Sequence, residues 1–246
     1  MIKRNYYKVV RVFPDPSSYF YIKNETMREG RMSYNDSSWL STVNIEYSFD
    51  KVNWKRFNGG FYLPADSYVY FRNTSGTFCT NEYNMVFWIT DMSISLGGDI
   101  RTLFNYTDVD SVTAIPAYGF KSPFTIDNDC KITDISNLSF RGITSIGDYG
   151  LSEAFSQSQL TITKGVDLRD VTTLGENSLN QLYAYNSKIT EVYAPNVSTW
   201  DTSKSSSWLS GVASTGVVYK PSTLDIPTGT SSGIPSGWTT QDYPTE

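Results

Sequence analysis

The stretch ITSIGDYGL, Ile143 to Leu151, returns 28 residues later as VTTLGENSL, Val171 to Leu179. A third version, VTAIPAYGF (Val112 to Phe120), lies 31 residues before the first, with Ile115, Tyr118, Gly119 and Phe120 standing where Ile146, Tyr149, Gly150 and Leu151 stand later. Aligned on this phrase, units start near Arg101, Cys130, Leu160 and Lys188, and Ile132-Thr133, Ile162-Thr163 and Ile189-Thr190 recur at spacings of 30 and 27. A second register aligns Asn137-Leu138-Ser139, Asp167-Leu168-Arg169 and Asn196-Val197-Ser198. A period of this length predicts ribs that stack, because one such unit cannot bury its own apolar side. In each unit the first Ile opens a short strand, and Leu151 with Phe155, or Leu179 with Leu182, are spaced like a helical turn. Gly147 and Gly175 are predicted at the sharp bend between them, where a Cβ would crowd.

Upstream of the repeats the period shortens to two. Thr42 to Phe49 (TVNIEYSF) puts Val43, Ile45, Tyr47 and Phe49 on one side and Asn44, Glu46 and Ser48 on the other, the pattern of a half-buried strand. VNWKRF continues it after Asp50-Lys51, Asn58-Gly59-Gly60 turns the chain, and FYL, SYVYFR, MVFWIT and SISLGG follow as further strands. Tyr6 to Met32 adds one or two more, interrupted at PDPSS. The expected class is mainly β with short helices: a β-sandwich over 1–98 with an attachment segment at 1–20, a solenoid of stacked repeats over 99–214, and a C-terminal cap over 215–246.

Charge divides the chain in the same place. Residues 1–90 hold 11 Lys/Arg against 8 Asp/Glu, and residues 91–246 hold 9 against 17. An overall charge of −5 argues against nucleic acid as partner, since phosphate neutralisation supplies most of that affinity. The one basic cluster, Lys3, Arg4, Lys8 and Arg11, is either a solvated end or a docking point for an acidic partner. No run approaches 18 apolar residues, and MIKRNYYKVVRVF lacks a sustained apolar stretch, so neither membrane insertion nor a cleavable signal is expected.

Catalytic chemistry has little to work with. Histidine is absent, which removes Ser-His-Asp and Cys-His catalysis and nearly all transition-metal sites. Cys79 and Cys130 are too few for a zinc site and imply no disulfide framework. Gly59-Gly60 and Gly97-Gly98 lead into no phosphate-binding motif. Counting from Asp127 as a calcium loop puts Lys131 and Leu138 where oxygen ligands are required. Carboxylate pairs for glycoside cleavage meet in space and not in order, so that class stays open here. The six N-x-Ser/Thr triplets, from Asn24 to Asn196, read as turns. No cofactor and no enzyme activity are expected.

Aromatic content points elsewhere, with 37 Phe, Trp and Tyr residues among 246. Tyr183, Tyr185, Tyr193, Trp200 and Trp208 cluster in the last repeats. Such rings either close the solenoid core or form a surface for a protein or glycan partner.

The repeat phrase resembles the BspA-like leucine-rich repeat and its "I-x-x-I-G-x-x-A-F" signature. Ile143–Leu151 and Val171–Leu179 match it, Val112–Phe120 carries Pro116 at the Gly position, and the fourth unit (STWDTSKSSSWL) is eroded. Together with IEYSFDKVNWKRFN…VYFRNTSGTF and VVYKPSTLDIPTGTSSGIPSGWTTQDY, the arrangement is similar to Ig-like and repeat modules of gut Bacteroidetes and their tailed phages. That resemblance implies a non-enzymatic virion structural protein, made in the host cytoplasm. It would be a capsid decoration or head fibre ahead of a tail fibre, contacting other virion proteins, copies of itself, and bacterial surface glycan or protein. The rival implication is a bacterial cell-surface adhesin binding host protein or glycan.

Overall fold

The computed structural model describes residues 19–34, 45–73, 86–126, 131–156 and 159–244. The cluster Lys3, Arg4, Lys8 and Arg11, the PDPSS break and both cysteines lie outside the described residues. The chain is mainly β. Its first part contributes β1 (Phe20–Asn24), β2 (Gly30–Tyr34), β3 (Ile45–Ser48), β4 (Lys55–Arg56), β5 (Gly60–Leu63), β6 (Tyr68–Asn73), β7 (Phe87–Thr90) and β8 (Ile94–Asp99). The four-residue α1 (Thr102–Asn105) follows. Then come β9 (Ala114–Ile115), β10 (Phe124–Ile126), β11 (Ile132–Ser139), β12 (Ser145–Ile146), β13 (Lys164–Asp167), β14 (Thr173–Leu174), β15 (Glu191–Tyr193), β16 (Gly216–Lys220) and β17 (Trp238–Asp242). Among the described residues no helix is long and apolar enough to cross a membrane.

Two sheets are built from the alternating segments. One runs β4-β3-β6-β1-β8-β11 and the other β5-β2-β7-β10. The expected alternation is realised in β6, where Val69, Phe71 and Asn73 are buried and the residues between them are half-exposed. Phe20 and Phe71 of the first sheet meet Phe87 of the second at ring separations of 6.2 and 5.0 Å, so the two sheets share one core. VNWKRF yields only the two-residue β4, because the Asp50 carboxylate takes the Val52 and Asn53 N–H groups and holds that stretch in a turn. Phe49, expected on the buried side, is 47% exposed and packs edge-on against Phe61.

The two sheets do not end at residue 98. β11 pairs with β8 and β10 with β7, both in parallel, so strands from beyond 98 complete the sheets begun before it.

The repeats stack as parallel ladders. β9, β12 and β14 form one, with Ile115, Ile146 and Leu174 in register and all buried. β13, β15, β16 and β17 form another, and β13 lies beside β11. The phrase that recurs in the sequence is therefore a rung, repeated where Thr144 N–H donates to Thr113 O and Thr172 N–H to Thr144 O.

The segments after each short strand are not helical turns. In 147–156, alternate N–H groups close nested turns: Gly150 donates to Gly147, Ser152 to Tyr149 and Ala154 to Leu151. The intervening ones, Tyr149, Leu151, Glu153 and Phe155, donate to Glu176, Ser178, Asn180 and Leu182 of the next unit. Each unit thus satisfies half of its donors internally and half through its neighbour, whereas a helix would satisfy all within itself. The resulting ribbon carries positive φ at every fourth residue: Tyr149 and Glu153, then Asn177, Gln181 and Tyr185. Leu151, Ala154 and Phe155 still point inward, which is why their spacing mimics a helix.

Gly147 and Gly175 stand where this ribbon departs. A Cβ on Gly147 would lie 2.6 Å from Ala117 N, and one on Gly175 would strike Asp148 N. The crowding expected at the bend comes from the backbone of the preceding rung.

Candidate functional site

Register determines which side chains share the outward faces of the six-stranded sheet and of the β13-β15-β16-β17 sheet beside it. Tyr70, Tyr21, Gly97 and Asn137 are direct neighbours across β6, β1, β8 and β11. Asp167, Tyr193, Tyr219 and Gln241 are neighbours across β13, β15, β16 and β17. A Cβ on Gly97 would strike the Tyr21 ring, so that ring lies over the glycine and is buried although it faces outward. Burial, then the nearby Tyr68, Asp134, Tyr70 and Glu25, push the Tyr21 phenol well above its ordinary range.

Cations order the rings along these faces. Lys51 Nζ sits 4.5 Å from the Tyr70 ring. The Arg72 guanidinium lies 4.1 Å from Trp54 and 4.2 Å from Tyr106 while its Nη2 meets Glu46 Oε2 at 2.6 Å. Farther along, Tyr193 stacks on Tyr219 at 4.7 Å with Lys164 at 4.3 Å and Arg169 at 5.1 Å from its ring. Burial is the main cause raising the Tyr193 pKa, against the opposing charge of Lys164. On the turn ribbon, Tyr118 and Tyr149 stack in parallel at 5.1 Å with Lys121 over both.

The five rings singled out from the sequence separate by depth. Trp208 is fully buried and its Nε1 donates to Gly233 O at 2.7 Å. Tyr183 is buried too, its hydroxyl accepting the Val166 N–H at 2.8 Å over Gly165, whose Cβ would meet that oxygen. Neither can serve a partner: an inward-facing register position puts both rings in the core, and the expectation of a surface role is corrected for these two. Trp200 is half-buried against Trp208, with its Nε1 on Ser232 O, so both indoles clamp the C-terminal segment. Tyr193 lies on the outward face but is covered by its neighbours. Tyr185 alone is well exposed, at 60%.

A polar cleft of about 600 Å³ opens beyond the ends of β11 and β13. Leu138 to Arg141, Asp167, Arg169, Asp170, Asn196 and Tyr243 line it. Asp167 accepts from Arg169 N–H at 3.1 Å and meets its Nη2 at 2.8 Å. Asp99 grips Arg101 in the same way, its Oδ1 taking the Arg101 N–H at 2.9 Å and its Oδ2 meeting Nη2 at 2.8 Å. Asp170 Oδ2 reaches back one unit to the Gly142 N–H at 2.8 Å. Tyr243 is held by its hydroxyl on Ala194 O at 2.6 Å, and burial followed by the Asp167 charge raises its pKa. Among the described residues no three His, Cys, Asp or Glu side chains gather as a metal site.

Sequence reasoning passed over this cleft. The recurring Asp-x-Arg of Asp99–Arg101 and Asp167–Arg169 was a readable signal, hidden because the second register aligned Asn137 with Asp167. In the structure the equivalent turns are Ile143 N–H to Phe140 O and Val171 N–H to Leu168 O, which make Ser139 the counterpart of Asp167. Two register shifts in β11 account for the offset.

No protein-family model matches the chain, no curated protein matches it in sequence, and no solved structure matches its fold.

Proposed function

We propose that the chain is a non-enzymatic structural and adhesive module of a bacteriophage particle, an Ig-like β-sandwich continued into a short BspA-like leucine-rich solenoid. A capsid decoration or head fibre fits the reading better than a tail fibre, since the repeat has no fibrous period. Its partners are other virion proteins or further copies of the chain, with the cluster Lys3, Arg4, Lys8 and Arg11 as attachment point to an acidic neighbour.

The observation that carries this reading is the outward faces of the six-stranded sheet and of the β13-β15-β16-β17 sheet beside it, where rings and cations are held against one another in rows. A surface of fixed, partly desolvated aromatic and Arg side chains meets the requirements of a contact area, because little side-chain entropy remains to be lost on docking. A second reading, a bacterial cell-surface adhesin, draws on the exposed Tyr185 and the Tyr118–Tyr149 stack.

Mass spectrometry of purified virions and of outer-membrane fractions separates the two. Stoichiometric recovery with the particle is the expected result; recovery only with the outer membrane overturns it in favour of the adhesin.

A further inference from the structure

Three arginines occupy one column at the ends of neighbouring strands, each two residues past the last outward residue of its strand: Arg101 after Asp99, Arg141 after Ser139, Arg169 after Asp167. In the first and third the preceding Asp takes both the backbone N–H and the guanidinium of its own Arg. In the middle one Ser139 Oγ still accepts the Arg141 N–H, at 3.3 Å, but a hydroxyl carries no charge for the guanidinium. Among the described residues Arg141 has no ion pair, and its exposed side chain lines the cleft. An arginine without its carboxylate, set between two that have theirs, is a planar donor fork open to an incoming carboxylate.

The remaining lining narrows the ligand. Asp170 Oδ1 has no partner among the described residues, since only Oδ2 holds Gly142. Asn196 offers both a donor and an acceptor, and Tyr243 presents a ring whose place its hydroxyl bond to Ala194 O fixes. Alternating acceptors and donors suit hydroxyl groups, each of which donates one hydrogen bond and accepts others. Two arginines and two aspartates line the cleft, so it has no surplus of positive charge for the closely spaced charges of polyphosphate and leaves one guanidinium fork, that of Arg141, for one carboxylate. Its volume of about 600 Å³ is in the range of small-ligand sites.

We propose that this cleft binds a carboxylate-bearing saccharide, with Arg141 taking the carboxylate and Asp170 and Asn196 the ring hydroxyls beside Tyr243. This site adjoins the Tyr193–Tyr219 row through Asp167 and Arg169, and it stands whether the chain belongs to a virion or to a cell surface.

Calorimetric titration of the full chain with oligogalacturonate, and in parallel with hyaluronan and alginate oligomers to vary hydroxyl stereochemistry, tests it. At least one uronate oligomer is expected to bind, and methyl esterification of its carboxylates to weaken binding about tenfold or more. Arg141→Gln is expected to cause a loss of the same size with the melting temperature unchanged, and Asn196→Ala a smaller one. The proposal is overturned if no uronate oligomer binds at millimolar concentration, if Arg141→Gln binds like the parent, or if inorganic phosphate displaces the oligomer as well as free galacturonate does.

Discussion

Gly175 shows how much one missing Cβ can matter. The space a methyl group would fill is occupied by Asp148 N and Oδ1 of the rung before, and backbone in a hydrogen-bonded stack has no room to withdraw. Gly175→Ala is expected to cost about 1–3 kcal/mol or more, read as a lowered denaturation midpoint at unchanged slope. Tyr183 carries a different lesson. With the hydroxyl gone in Tyr183→Phe, the buried Val166 N–H loses its acceptor, at a cost of about 1–3 kcal/mol near neutral pH. Burial raises the Tyr183 pKa above its ordinary 10.0, outweighing the Val166 hydrogen bond that acts to lower it. Its contribution to stability is therefore complete below pH 10 and falls as pH rises further, by about 1.4 kcal/mol per pH unit. Denaturation curves measured through this window should decline less steeply for Tyr183→Phe than for the parent. Among the late aromatic residues, Trp208→Ala should lose about 3–5 kcal/mol, and the exposed Tyr185→Ala should stay within about 0.5 kcal/mol.

At the scale of elements, the turn ribbon is the unfamiliar part. Gln181 has φ of +52°, and its residue type lies in a stretch whose apolar spacing reads as a helix. Glycine inside a helix costs about 1 kcal/mol against better helix formers, but at a left-handed position it relieves strain. Gln181→Gly is thus expected to leave the melting temperature unchanged or raise it; a marked drop would show that the segment is helical after all. The apolar residues of the repeat could be recognised from the sequence because burial is common to helix and ribbon. What distinguishes the two is where the N–H groups go, and those of Leu179 and Tyr183 go to Lys204 and Trp208, outside their own segment. Such donors depend on a neighbour at a distance no local pattern encodes.

Across the whole molecule, the alternating and the repeating parts are joined by strands that cross between them. β10 and β11 leave the repeats to complete both sheets, and buried residues from Phe20 to Trp238 form one continuous hydrophobic cluster. Opening either part exposes strand edges and core of the other, so calorimetry is expected to record a single unfolding transition; two separated transitions would mean that the shared strands couple the parts weakly.

Period alone was enough to determine that this chain is mainly β, that it changes from two-residue alternation to ribs of about thirty residues near position 100, and that the recurring Ile and Leu of the ribs face inward, because burial of recurring apolar residues is a local property of the chain. Tertiary structure alone decided that the ribs fold as nested turns, that Tyr183 and Trp208 lie inside while Tyr185 lies outside, and that Arg141 has no ion pair among the described residues although it stands between two paired arginines. Each of these depends on hydrogen bonds and charges brought together from separate rungs, and such partners are set by register across the stack.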